Sequence, residues 1–254
     1  MSKPSRPVKY IAIALSLMLS ACATHPGKVL APVAETAPDA SRVDMLVATT
    51  REPVTDPGEL FSGERGKAIS LTNIVVSVPP DKKRKIGEIQ WPARLPGDPA
   101  RDFVTLKTEK LGSESQVLDW LKHNQGPKKR VLVFVHGFNN SYSDAVYRFA
   151  QIAHDARTDA APVLFTWPSR ASVFDYVYDK ESTNFSRFAL EELLRQAAKS
   201  PDVTEVTVLA HSMGSWLAVE ALRGIAMRDK GISPKIKNVV LASPDIDVDV
   251  FRRQ

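Results

Sequence analysis

The 254-residue chain contains a single cysteine. That excludes a disulfide framework, a cysteine-based zinc site and an iron–sulfur cluster. An excess of one charge sign is also nearly missing. The formal net charge is +5, but Lys3, Arg6 and Lys9 lie in a segment that reads as removable, and residues 1–21 hold no Asp or Glu. Residues 22–254 carry 31 basic against 29 acidic side chains, or +2, too little to point to a nucleic-acid partner. No phosphate-binding loop is present. GERGKA at 63–68 has the wrong spacing, and no G-x-G-x-x-G follows a strand, which argues against a nucleotide-binding sheet protein. Nothing in the sequence calls for a metal or cofactor. Hydrophobic residues make up 43% and charged residues 25%. This globular balance excludes disorder, collagen-like repeats and a coiled coil, and the length suits one ordinary domain or two small ones.

Residues 1–21 read as an address. A basic start (MSKPSRPVKY) precedes an apolar run of nine, IAIALSLML at 11–19. A membrane-spanning helix needs about 20 residues, so this is the layout of a secretory signal peptide. The lone cysteine falls in Leu19-Ser20-Ala21-Cys22, which resembles the lipobox of bacterial lipoproteins, where the cysteine is lipidated and becomes the N-terminus. The competing reading is an ordinary signal peptide with an incidental cysteine. Several acyl chains on one residue give stable anchoring. In such lipoproteins Asp after the cysteine signals inner-membrane retention, so Ala23 implies an outer-membrane, periplasm-facing location in the cell envelope. Residues 22–41, rich in Ala and Pro and without periodicity, read as a tether.

From residue 42 the pattern is that of an α/β domain with a β-rich N-terminal portion. Val43–Thr50, Ser70–Val78 and Phe103–Lys107 are strand candidates. Gly87–Trp91 is expected to pair with Ser70–Val78 across the basic turn Asp81–Lys85 (DKKRK), itself read as a solvated turn rather than an anion site. Ser113–His123 reads as a helix capped by Ser113, with Val117, Leu118 and Leu121 on one face. Then strands Arg130–Val135, Pro162–Thr166, Glu205–Ala210 and Asn238–Ala242 alternate with helices Ser141–Arg157, Ser182–Ala198 and Met213–Met227. Phe185, Phe188, Ala189 and Leu193 are expected to face inward. Four strands separated by three helices predict a mostly parallel sheet with helices on both faces.

Reactive loops of parallel sheets lie beyond the carboxyl ends of the strands. There, Ala210-His211-Ser212-Met213-Gly214 matches the nucleophile elbow G-x-S-x-G with Ala in the first slot. The turn is tight, so residues two before and two after the serine must be small. A strand before and an amphipathic helix after lend the short pattern its weight. His136-Gly137-Phe138 ends the Arg130–Val135 strand and supplies the second half, with the backbone N–H groups of Phe138 and Met213 as the expected oxyanion hole. His136 is read as loop scaffold rather than as the base, and His211 as structural. His25, His123 and His154 are poorly placed. Trp167, Pro168 and Ser169 either line the mouth of the site or form a strand-ending turn.

The blocks FVHGFNNSYSDAVYRFAQI (Phe134–Ile152), FTWPSR (Phe165–Arg170), YDKESTNFSR (Tyr178–Arg187), LAHSMGS (Leu209–Ser215) and VLASPDIDVDVF (Val240–Phe251) resemble the bacterial alpha/beta-hydrolase family of unknown function. That family is often labelled esterase/lipase superfamily and is often a lipoprotein. The TTREP and ERG segments fit it too, and the resemblance runs from about residue 43 onward. It implies the alpha/beta-hydrolase fold, Ser212 as nucleophile and Phe138 with Met213 as oxyanion hole.

The pattern also departs from that fold. An acid and then a histidine are expected after the serine, yet no histidine follows His211. Asn238–Ala242 counts as the sixth strand of the fold, so 42–254 is expected to be a C-terminally incomplete domain lacking the last strands. Asp245 is a candidate acid, because some lipases of this fold keep theirs at that place; Asp245 and Asp247 as caps of the next turn is the alternative. Two functions compete. One is a lipid-anchored serine hydrolase of a small carboxylic ester, inactive without its histidine. The other is a catalytically silent envelope lipoprotein that uses the fold for binding or structure. For the anchor, metabolic palmitate labelling is expected to mark the protein and to vanish in Cys22→Ser. Equal labelling of the variant would refute the lipobox reading.

Overall fold

A computed structural model describes residues 26–253. The signal peptide, Cys22, Ala23 and His25 lie outside the described residues. Within the stretch expected as tether, Val29 and Leu30 are buried. Leu30 N–H donates to Gly58 O at 3.0 Å and Val33 N–H to Thr105 O at 2.9 Å. From about Lys28 the chain is laid against the domain.

Seven strands form one sheet: β1 Ser41–Pro53, β2 Phe61–Val78, β3 Val104–Leu111, β4 Arg130–Val135, β5 Ala161–Thr166, β6 Glu205–His211 and β7 Ile236–Ala242, in the order β3-β2-β1-β5-β4-β6-β7. β2 is antiparallel to β1 and β3, and every other pairing is parallel. The helices are α1 Glu114–Asn124, α2 Tyr142–Asp155, α3 Tyr176–Lys199, α4 Met213–Asp229 and the short α5 Val248–Phe251. Ser113 and Ser141 start α1 and α2 through reciprocal capping boxes with Gln116 and Asp144, satisfying N–H groups that a helix leaves unpaired.

Strand alternation divides the core in two. Leu46, Ala48, Val131, Val133 and Val135 face one side, with Trp120 and Leu121 of α1, Leu190 and Leu194 of α3, and Leu217 and Ala221 of α4. Val43, Met45, Val47, Leu132 and Phe134 face the other, with Val146, Phe149 and Ala150 of α2. Helices therefore cover both faces, as the sequence pattern predicts.

Two expectations for residues 81–91 are corrected. Gly87–Trp91 is not a strand, because β2 already has β1 and β3 as its neighbours. The basic run is solvated as expected at Lys82, Lys83 and Lys85, but it is not a hairpin turn. Asp81–Lys83 is a 3₁₀ turn, and the Arg84 side chain is buried in ion pairs with Asp155 and, at 3.1 Å, Asp81. His154 bonds Asp81 at 2.9 Å. The run is held against the end of α2.

A further correction concerns α3. It buries Ser182, Thr183, Ser186, Leu190 and Leu194, while Phe185 and Phe188 are 47% and 60% exposed. Hydroxyls win the inner face because β1 and β2 offer them partners: Thr50 Oγ1 and Ser186 Oγ lie 2.7 Å apart, and Arg65 Nε–H donates to Ser182 Oγ at 3.1 Å. Phe188→Ser is expected to change stability by no more than about 0.5 kcal/mol, whereas Leu190→Ala costs about 2–5 kcal/mol. Urea unfolding checks both, and the opposite ranking would restore the inward-phenylalanine phase.

Candidate active site

β6 runs into α4 through Ser212, whose φ of 50° and ψ of −124° place a non-glycine residue in a sparsely allowed region. The neighbours hold it there. Ser212 N–H donates to Ala242 O at 3.0 Å, and Ser212 O accepts from Ser215 N–H at 2.9 Å and Asp245 N–H at 3.1 Å. The buried Ser215 Oγ donates back to Ala210 O at 3.1 Å.

Close approach explains both glycines of the motifs. A Cβ on Gly214 would sit 2.3 Å from His136 O and 2.7 Å from Val135 O. The first turn of α4 thus presses on the end of β4. A Cβ on Gly137 would sit 2.9 Å from Ser212 Cβ and 2.8 Å from His211 Nδ1. Ala210, fully buried, shows that the first slot of the elbow has room for one methyl.

Four of the sequence candidates are brought together. Met213 is the first residue of α4, where a backbone N–H has no intrahelical acceptor. Phe138 follows Gly137, and its N–H has no acceptor among the described residues. Asp245 is tied to Ser212 through the backbone, while its carboxylate accepts the Tyr176 O–H at 2.8 Å. That hydrogen bond is the main reason the Tyr176 phenol is held above its ordinary pKa. The Tyr176 ring meets the Phe138 ring edge-on, with centroids 5.3 Å apart. Asp247, by contrast, caps α5 by accepting from Asp249 and Val250 N–H. Burial lowers the Lys180 pKa, against the attraction of Asp245, and its ammonium stands 4.1 Å from the Trp216 ring. Among the described residues Ser212 Oγ has no hydrogen-bond partner. No group of three His, Cys, Asp or Glu among them is arranged to hold a metal.

The site rests on a buried polar network that the sequence pattern does not reveal. Arg51, fully buried, ends the apolar run of β1. Its Nε–H donates to Thr166 Oγ1 at 2.9 Å, Nη1–H to Ser169 O at 2.9 Å and Ser62 O at 3.2 Å, and Nη2–H to Asn140 O at 2.8 Å. Burial lowers its pKa to about 10, and Asp179 is among the groups that resist this, so it stays charged near neutrality. Asp179, also fully buried, accepts Ser169 Oγ–H at 2.5 Å, Asn139 N–H at 3.2 Å and Arg170 N–H at 3.1 Å. Asn139 itself has φ 57°. Between them, Arg51 and Asp179 clamp the 138–140 loop that carries Phe138. The only signals in the sequence were an arginine closing an apolar strand and an aspartate in the YDKEST block.

His136 belongs to that network. Its Nδ1–H donates to Gly137 O at 2.8 Å, and Nε2 accepts from Trp167 N–H at 3.1 Å and lies 3.0 Å from Thr166 Oγ1. These partners assign the tautomer and occupy both nitrogens. The ring stacks on Trp167 at 4.7 Å, and Trp167 and Ser169 are buried. Segment 167–169 therefore underpins the site as a strand-ending turn and does not line its mouth. Burial, seconded by Arg51, lowers the His136 pKa to about 3. The unfolded chain takes up this proton first, near pH 6.5, so the neutral ring stabilises the fold fully above that pH. The contribution falls away as pH drops from 6.5 toward 3, and amounts to several kcal/mol. Urea unfolding between pH 7 and 4 should show a steeper loss of stability in the parent than in His136→Gln. Equal slopes would mean that His136 is not buried neutral.

No solved structure matches this chain. An uncharacterized protein of Nostoc sp. is 29% identical over an aligned region that covers 43% of this chain and 36% of that protein. The chain thus spans little more than a third of that relative's length. Residues 112–254, more than half of the chain and the part that carries the elbow, the 136–140 loop and Asp245, match the family described as alpha/beta hydrolase of unknown function (DUF900), and with the sheet and elbow seen here the chain belongs to that family.

Proposed function

We propose that the chain is a serine hydrolase of carboxylic esters, with Ser212 as nucleophile and the N–H groups of Phe138 and Met213 as oxyanion hole. The carrying observation is the strained Ser212 at the strand–helix elbow, with Gly137 pressed against it and Gly214 pressed against the His136 carbonyl. Strain at a residue that its surroundings over-determine is a mark of a working site. In this reading Ser212 Oγ attacks the ester carbonyl, and the two N–H groups stabilise the oxyanion that forms. Asp245 is the acid, poised beside the elbow by its backbone bond to Ser212 and aimed by Tyr176.

Among the described residues no base lies within hydrogen-bond reach of Ser212 Oγ. A hydroxyl without a base is a weak nucleophile at neutral pH, so the reading requires a histidine from outside residues 26–253. The lipid anchor at Cys22 and a periplasm-facing position on the outer membrane complete the proposal, with a small-molecule or lipid ester as substrate.

A fluorophosphonate probe tests the nucleophile. Residues 22–254 should label slowly, and faster as pH is raised, because hydroxide takes the place of a base that the described residues do not supply. Ser212→Ala should abolish the label. In a longer form that hydrolyses a p-nitrophenyl ester, Ser212→Ala should lower turnover to the roughly 10³–10⁴-fold residual acceleration of a site without its nucleophile. Undiminished labelling of Ser212→Ala would sink the assignment.

A further inference from the structure

Ala189 and Leu193 of α3 pack on the core as expected, but Phe185 and Phe188 turn outward, onto a face with no partner among the described residues. Phe174 in the turn before the helix is 95% exposed, and Val177, Phe185 and Phe188 are 75%, 47% and 60% exposed. The three helical positions fall within roughly an 80° arc of the helix, so with Phe174 they make one apolar ridge about 20 Å long. Glu181 interrupts it.

Cations flank the ridge on both sides. Lys180 rests on Trp216 at 4.1 Å, and Arg187 lies over Phe188 at 4.8 Å. On the other side Arg65 lies over Tyr178 at 4.5 Å. Among the described residues neither Arg65 nor Lys180 is in an ion pair within 4.0 Å; Arg65 donates to Ser182 Oγ and Tyr178 O. Arg187 also pairs with Glu220 at 3.7 Å, so Arg65 and Lys180 are the cations left to meet phosphates. Exposed aromatic and aliphatic side chains bordered by them match the chemistry of an anionic lipid interface, with the apolar groups entering the acyl boundary.

The ridge also begins at the candidate site. Val177 adjoins Tyr176, which bonds Asp245 and packs on Phe138. We infer that the outer face of α3 is a docking surface for an anionic phospholipid bilayer, which sets the mouth of the Ser212 site at the lipid surface. The substrate class is then an acyl ester presented by that surface. The substrate class rests on the Ser212 reading, whereas the docking does not.

The test uses residues 22–254 carrying Cys22→Ser, so that neither an acyl anchor nor the apolar run at 11–19 contributes, and co-sedimentation with vesicles. Two compositions are compared, phosphatidylcholine alone and phosphatidylcholine with phosphatidylglycerol. The protein should bind the anionic vesicles, and combined substitution of Phe174, Val177, Phe185 and Phe188 by Ser should weaken binding by about tenfold or more. Arg65→Gln with Lys180→Gln should weaken it on the anionic vesicles and leave the neutral ones unaffected. Should the quadruple variant melt early, Phe174→Ser alone carries the test, since that ring touches little of the fold. Equal binding by parent and ridge variants overturns the proposal. So does a ridge substitution that converts a solution dimer to monomer without altering vesicle binding, for the face would then seat a second copy. Ser212→Ala should bind vesicles as the parent does. If Ser212→Ala keeps the fluorophosphonate label, the hydrolase reading fails and the docking result stands.

Discussion

A guanidinium without access to water holds the active end of this molecule together. Arg51 leaves the end of β1 and donates to Thr166 at the end of β5, to Ser169 and Ser62, and to Asn140 in the loop after β4. A buried charge is costly unless hydrogen-bonded and balanced, and that cost is what makes the arrangement specific. Two acceptors, Thr166 and Ser62, belong to strands of the sheet, and the other two, Ser169 and Asn140, to loops that the guanidinium ties to it. Asp179 supplies the opposite charge one layer out and collects three donors from the same two loops. Removing either side chain would leave buried groups of these two loops without their partners, at roughly 1–3 kcal/mol for each group stranded.

The network reaches Ser212 through His136. Arg51 and the neutral ring share Thr166 as a relay, and the ring in turn bonds the Gly137 carbonyl. Gly137 packs against Ser212 Cβ and Gly214 against the His136 carbonyl. The nucleophile candidate is consequently braced from below by main chain. Burial, seconded by the positive charge of Arg51, keeps that ring neutral, and its two nitrogens are occupied within the network, which accounts for a histidine next to the site that is placed as scaffold.

The same polar network determines how α3 lies. Its first half must bring Asp179, Ser182 and Ser186 to β1, β2 and the 167–170 turn. A helix that turns hydroxyls and a carboxylate inward turns its phenylalanines outward. The exposed ridge is thus the geometric counterpart of the buried network, and site and surface stem from one constraint.

The sequence by itself determined the strand–helix alternation from Arg130 onward, because β4 and β5, buried on both faces, read as unbroken apolar runs, β6 and β7 read as short apolar segments of the same kind, and α2 and α4 follow a 3.6-residue period. It also placed Phe138, Ser212, Met213 and Asp245 at one edge, since parallel topology sends those segments to the same end of the sheet. It named both glycines whose size the elbow demands. For α3 it placed Ala189 and Leu193 on the core side but failed at Phe185 and Phe188, because hydrophobic periodicity presumes an apolar partner, and the first half of the helix meets Thr50 and Arg65, more than 100 positions away. It failed at Gly87–Trp91 because a turn-like run between two apolar stretches does not reveal that β2 is already paired on both edges. His136 already read as scaffold in the sequence, and tertiary structure supplied its partners; whether Trp167 lines or supports the mouth was a matter for tertiary structure alone. Both depend on which atoms surround a side chain in space, and residues as distant as Arg51 and Thr166 supply those atoms.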